Sequence, residues 1–91
     1  MTSAKGVTTV EHEKGLHARP ASVFVRAASE FAADVRVAKP GGNGEVDAKS
    51  SIGVISLGVG PGDTIRIAAE GADADEAVDR LVSLVENDFE S

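Results

Sequence analysis

The densest concentration of chemistry in the sequence is the heptapeptide Gly15-Leu16-His17-Ala18-Arg19-Pro20-Ala21. Proline suits the first turn of a helix, where its missing N–H costs nothing, so Pro20 places His17 at the boundary between a loop and a helix. Unpaired backbone N–H groups and the positive end of the helix dipole meet at such a boundary, and together they suit a phosphoryl group. An imidazole at such a boundary can act as a nucleophile toward phosphorus. Arg19 brings a planar fork of donors that clamps phosphoryl oxygens in bidentate fashion. A histidine before a helix is by itself most often a solvated or capping residue; it is the company of Arg19 and Pro20 that points to phosphoryl chemistry.

Ser50 is a second candidate. As the N-cap of a short helix it stabilises that helix by ~1 kcal/mol relative to alanine, whatever else it does. The remaining signals have plainer readings. His12 and His17 are five residues apart, the wrong spacing for one helical face, and the chain has no cysteine, so no metal site is expected. Gly58, Gly60 and Gly62 resemble a phosphate loop, but no Gly-Lys-Ser/Thr follows and a strand comes next, which makes them turn glycines.

The elements that position these residues must fit in 91 residues, enough for one domain spanning 1–91. Fifteen Asp and Glu against nine Lys and Arg give a net charge of −6, which repels phosphate backbones and anionic lipid. With no Trp, no Tyr and three Phe there is no set of aromatics for stacking bases. Nucleic acid and membranes are therefore not expected partners. Zero cysteines exclude disulfides, thiolate catalysis and iron–sulfur sites. No cofactor motif is present, and none is expected. The stretch from Met1 to Gly15 has no apolar run of the signal-peptide kind, so a cytoplasmic location is expected. The acidic surplus, few lysines and few large aromatics resemble a chain adapted to high salt.

Val7 to Val10 reads as a first strand, followed by a polar loop. Beyond Pro20, residues Ala21, Phe24, Val25, Ala28, Phe31 and Ala32 recur at helical spacing, with Arg26, Ser29 and Glu30 on the opposite face. Val35 and Val37 alternate as a strand does. Lys39 to Gly44 forms a hairpin tip, and Glu45 to Ala48 the return strand. Ile52, Ile55 and Leu57 mark a two-turn helix stopping at Gly58. After the turn Gly60-Pro61-Gly62-Asp63, the alternation of Ile65, Ile67 and Ala69 predicts a strand. Asp73 and Glu76 resemble a capping box ahead of a final helix with Ala77, Leu81, Leu84 and Val85 on its buried stripe. Glu76, Asp79, Glu86, Asp88 and Glu90 take its wet face. The order is β-α-β-β-α-β-α, an α+β open-faced sandwich with an antiparallel sheet covered on one side by helices.

The heptapeptide around His17 resembles the active-site signature of the HPr family, the histidine-containing phosphocarriers of the phosphoenolpyruvate-dependent sugar phosphotransferase system. The segment Ala48-Lys49-Ser50-Ser51-Ile52-Gly53-Val54-Ile55-Ser56-Leu57-Gly58 is similar to that family's regulatory-serine segment. The resemblance covers essentially the whole chain. It implies a four-stranded antiparallel sheet with three helices on one face, phosphorylation of His17 Nδ1 by enzyme I, and transfer onward to enzyme IIA. It implies a phosphoryl carrier rather than an enzyme, acting as a monomer, with Arg19 assisting transfer and Pro20, Ser51, Ile52 and Ile55 on the partner surface. In part of the family the serine matching Ser50 is phosphorylated by an ATP-dependent kinase, which would be a further partner.

Two departures stand out. Ser51 occupies a position where that family usually carries Ile or Leu, which weakens an apolar contact and leaves Ile52 and Ile55 to make it. The Lys39 to Gly44 connection is two residues longer than is usual, and no functional consequence is expected. Two alternatives to a phosphocarrier are a non-transferring regulator on the same fold and a small effector-binding domain. A regulator can dispense with His17, and an effector domain needs a concave apolar pocket.

Overall fold

The structure, a computed structural model, describes residues 2–42 and 44–90. Its elements are β1 (Ser3–Thr9), α1 (Ala18–Ala28), β2 (Asp34–Ala38), β3 (Glu45–Asp47), α2 (Ser51–Ser56), β4 (Thr64–Glu70) and α3 (Ala74–Glu86). The four strands form one antiparallel sheet in the order β1-β4-β2-β3. Side-chain alternation gives that sheet two unlike faces. Val35, Val37, Ile65, Ile67 and Ala69 point into one core with Phe24 of α1, Val54 of α2 and Leu81 and Leu84 of α3. Lys5, Arg36 and Arg66 lie exposed on the other face. Each fully buried Ile, Leu or Phe contributes about 1.5–3 kcal/mol, so the covered face holds the layers together.

The expected order and architecture are those observed, and the differences are local. The first strand begins at Ser3, before the β-branched run at Val7, and pairs with β4 from Ser3↔Glu70 to Thr9↔Thr64. Its first half has no alternating apolar pattern to announce it; the β4 partner and the fit of Gly6 beneath Val78 and Val82 of α3 define it. Val10 lies past the strand, buried, with its N–H donating to the Asp63 carbonyl at 2.8 Å and its carbonyl accepting from Gly62 N–H at 2.7 Å. Of the stripe assigned to α1, Phe31 and Ala32 fall beyond the helix end. The Phe31 carbonyl there accepts from Lys49 Nζ at 2.8 Å.

The capping box at Asp73 does not form. Asp73 stands at the N-cap position of α3 but makes no side-chain cap bond, because its carboxylate is taken by the Ala32 and Ala33 amides at 2.9 and 2.8 Å. The buried stripe of α3 is as expected and also includes Ala74 and Val78. Asp88 and Glu90 lie beyond the helix rather than on its wet face. Asn43 of the predicted hairpin tip lies outside the described residues. No helix among the described residues is long and apolar enough to cross a membrane.

Candidate functional site

His17 is the N-cap residue of α1, in extended conformation (φ −132°, ψ 167°), half-buried and without a side-chain cap bond. The next residue, Ala18, has φ 52°, in the left-handed region that costs a non-glycine residue on the order of 1–2 kcal/mol. The first turn is correspondingly loose: Ala21 N–H reaches the His17 carbonyl at 3.5 Å. The amides at the head of a helix have no partner in its ladder, and those of Ala18 and Arg19, which directly follow His17, are two of them. Pro20, third in the helix, contributes no N–H and leaves none orphaned.

The loop that delivers His17 rests on the turn ahead of β4. Leu16 is fully buried, and its amide donates to the Val59 carbonyl at 3.0 Å. Gly15 has φ +62°, and a Cβ there would run into the Val59 carbonyl and the Gly60 backbone. Only glycine permits so close an approach in that conformation. The turn is itself braced. Asp63 accepts from Gly60 N–H at 2.8 Å and pairs with Lys39 Nζ at 3.1 Å, while the same Nζ donates to the Gly58 carbonyl at 3.2 Å. The Gly60 amide, with Lys39 beside it, holds the Asp63 carboxyl below its ordinary value of 3.8. Sequence reasoning treated Lys39 and Asp63 as turn residues. The available signal was an acidic side chain three positions after a glycine in a tight turn, an arrangement that favours a side-chain-to-backbone bond.

Arg19 is exposed, and no ion pair among the described residues engages its guanidinium. It borders an open groove of about 650 Å³ together with Arg26, Arg80, His12 and Phe89. Glu30, Asp88 and Glu90 also line this groove, so it is a surface of mixed charge rather than a closed pocket, and His17 stands outside its lining. Pro20, expected on the partner surface, is fully buried and shapes the groove from beneath instead of offering an exposed contact. His12 accepts from the Lys14 amide through Nδ1 at 3.1 Å and meets the Phe89 ring edge-on at 5.9 Å. No cluster of three metal-ligating side chains occurs among the described residues.

Ser50 caps α2 as expected, its Oγ accepting from Gly53 N–H at 3.1 Å. Ser51 is exposed, and Ile52 and Ile55 keep 83% and 43% of their surface open, an apolar pair with no intramolecular reason to face solvent. Helices α1 and α2 pack against one another, so both helix starts belong to one helical layer.

Residues 4–87 match the family model described as the PTS HPr component phosphorylation site. The chain belongs to the HPr family. Among HPr relatives, the phosphocarrier protein HPr of Haloferax volcanii is 46% identical over 77 residues, covering 85% of this chain and 86% of that protein. The HPr-like protein Crh of Halalkalibacterium halodurans is 39% identical over 79 residues, 87% of this chain and 92% of that one. The crystal structure of HPr-C-His from Thermoanaerobacter tengcongensis matches with a TM-score of 0.89 at 42% identity, covering 94% of both chains.

Proposed function

We propose that His17 is the residue through which this phosphocarrier of the sugar phosphotransferase system accepts and releases its phosphoryl group. The observation that carries the reading is the placement of an uncapped imidazole at the head of α1, two residues before an unpaired arginine. The protein is a phosphoryl carrier rather than a catalyst. Transfer of this kind passes through a loose transition state, and positioning with charge stabilisation is most of what the protein must supply.

In that reading, His17 Nδ1 attacks the phosphorus in line, and the bond to the donor on enzyme I breaks as the N–P bond forms. The Ala18 and Arg19 amides and the Arg19 guanidinium meet the negative oxygens as charge is redistributed. Delivery to enzyme IIA reverses the same steps. Ile52 and Ile55 supply the apolar part of the surface that both partners cover, with Ser51 at its edge. Phosphorylation of Ser50 by a serine kinase would place about −1.5 to −2 charge against that surface. The protein acts as a monomer in the cytoplasm.

A regulator without transfer is the second reading, raised by the similarity to Crh, whose Bacillus subtilis form is described as the catabolite repression HPr. Incubation with phosphoenolpyruvate and a matched enzyme I, followed by intact mass, separates the two: a carrier gains one phosphoryl group and a pure regulator gains none.

A further inference from the structure

We propose that Lys39 and Asp63 are positioning residues for His17: their ion pair fixes the turn from Gly58 to Asp63, and that turn is the seat of the loop that carries the imidazole. The inference rests on His17 as the acceptor.

The chain of contacts is continuous. Lys39 follows directly on β2 and sends its Nζ to both ends of the turn, 3.2 Å from the Gly58 carbonyl and 3.1 Å from Asp63 Oδ2. Asp63 Oδ2 also holds the Gly60 amide at 2.8 Å. Between those anchors lies Val59, whose side chain is fully buried and whose carbonyl accepts from Leu16 N–H at 3.0 Å. Leu16 immediately precedes His17. On the far side of the loop, the Val10 amide and carbonyl pair with Asp63 and Gly62, so the segment from Val10 to Leu16 is tied to this one turn at each end. Lys39, distant in sequence from His17, thus reaches the seat of its loop through this turn.

The energetics separate this role from a stabilising one. The paired side chains of Lys39 and Asp63 keep 34% and 37% of their surface in solvent, and half-exposed pairs contribute little to global stability. What the pair controls is which geometry the turn holds, and a small misplacement of a reacting group slows transfer disproportionately.

The test compares the parent with Lys39→Met, Lys39→Arg and Asp63→Asn. Two quantities are read: amide hydrogen exchange at Leu16 and Ile67, and single-turnover phosphoryl acceptance from phospho-enzyme I over a range of protein concentrations. Lys39→Met and Asp63→Asn should speed Leu16 exchange about tenfold while Ile67, in the central strand, keeps its protection. Both variants should lower the saturated transfer rate about tenfold with little change in half-saturating concentration, and Lys39→Arg should restore both readouts. An unchanged Leu16 amide or an unchanged saturated rate overturns the assignment, as does a loss of protection shared by Ile67. A parent that takes no phosphoryl group on His17 would instead defeat the acceptor reading, while the exchange data still decide whether the pair holds the loop.

Discussion

The Asp73 carboxylate accepts from both the Ala32 and Ala33 amides, at 2.9 and 2.8 Å, so the side chain at the head of α3 holds the chain leaving α1 rather than capping its own helix. Gly71 lies against the same place, where a Cβ would meet Ala33, and Lys49 holds the Phe31 carbonyl just before it. The far end of α1 is thereby fixed to two other segments of the fold. A helix held at its far end presents its first turn, and His17, in a defined direction.

The Ala32 amide, followed by that of Ala33 and the Lys49 charge, holds the Asp73 carboxyl below its ordinary value of 3.8 against an opposing effect of partial desolvation. A carboxylate whose folded value is depressed contributes stability that is present in full above the unfolded value and is lost as pH falls through the folded one. Asp73→Asn retains one acceptor and turns an NH2 toward the second amide, so it should be less stable than the parent at pH 7. The gap should close as the pH drops below about 4, and parallel denaturation curves across that range check it. A gap that stays constant would show that the charge is irrelevant.

Gly15→Ala places a methyl group in a left-handed conformation against the Val59 carbonyl. The expected cost is about 1–3 kcal/mol by chemical denaturation, with slower phosphoryl acceptance in the fraction that remains folded. An undisturbed variant would mean that the loop does not sit on this turn.

Arg19→Ala removes a guanidinium that no ion pair among the described residues engages, so unfolding should hardly change. Transfer should slow at least tenfold, about 1.4 kcal/mol of barrier. Transfer kinetics equal to the parent's would take Arg19 out of the mechanism.

Much of this was legible from residue type and spacing. The helical recurrence around Phe24, the stripe through Leu81, the alternation at Ile65 and Ile67 and the serine cap at Ser50 are local patterns imposed by one covered sheet face. What was not legible depended on distant partners. Asp73 followed by Glu76 fits a capping box equally well whether or not backbone amides 40 residues away claim the carboxylate. Lys39 and Asp63 each looked like ordinary turn residues, because nothing in a linear pattern shows that two turns meet. The start of β1 was hidden for the same reason, since β4 supplies its definition.

Ser50→Asp separates the two roles of one helix start. Asp caps as well as Ser, and negative charge suits the head of a helix, so thermal stability should hold. Beside Ile52, 83% exposed on the proposed partner surface, the carboxylate would have to be desolvated without compensation when enzyme I binds. Acceptance should fall for Ser50→Asp and stay near the parent's for Ser50→Ala, measured at one salt concentration because screening weakens the penalty. Normal acceptance by a destabilised Ser50→Asp would leave Ser50 a cap only.

The most direct test of the central claim is the site of phosphorylation. Parent, His17→Ala and His12→Ala proteins are incubated with phosphoenolpyruvate and a matched enzyme I, and intact mass is read before and after brief acid treatment. The expected result is a single phosphoryl adduct on the parent and on His12→Ala, lost in acid as a phosphoramidate is, and no adduct on His17→Ala. An adduct that persists in His17→Ala, or that disappears in His12→Ala, would contradict the assignment of His17 as the phosphoryl acceptor.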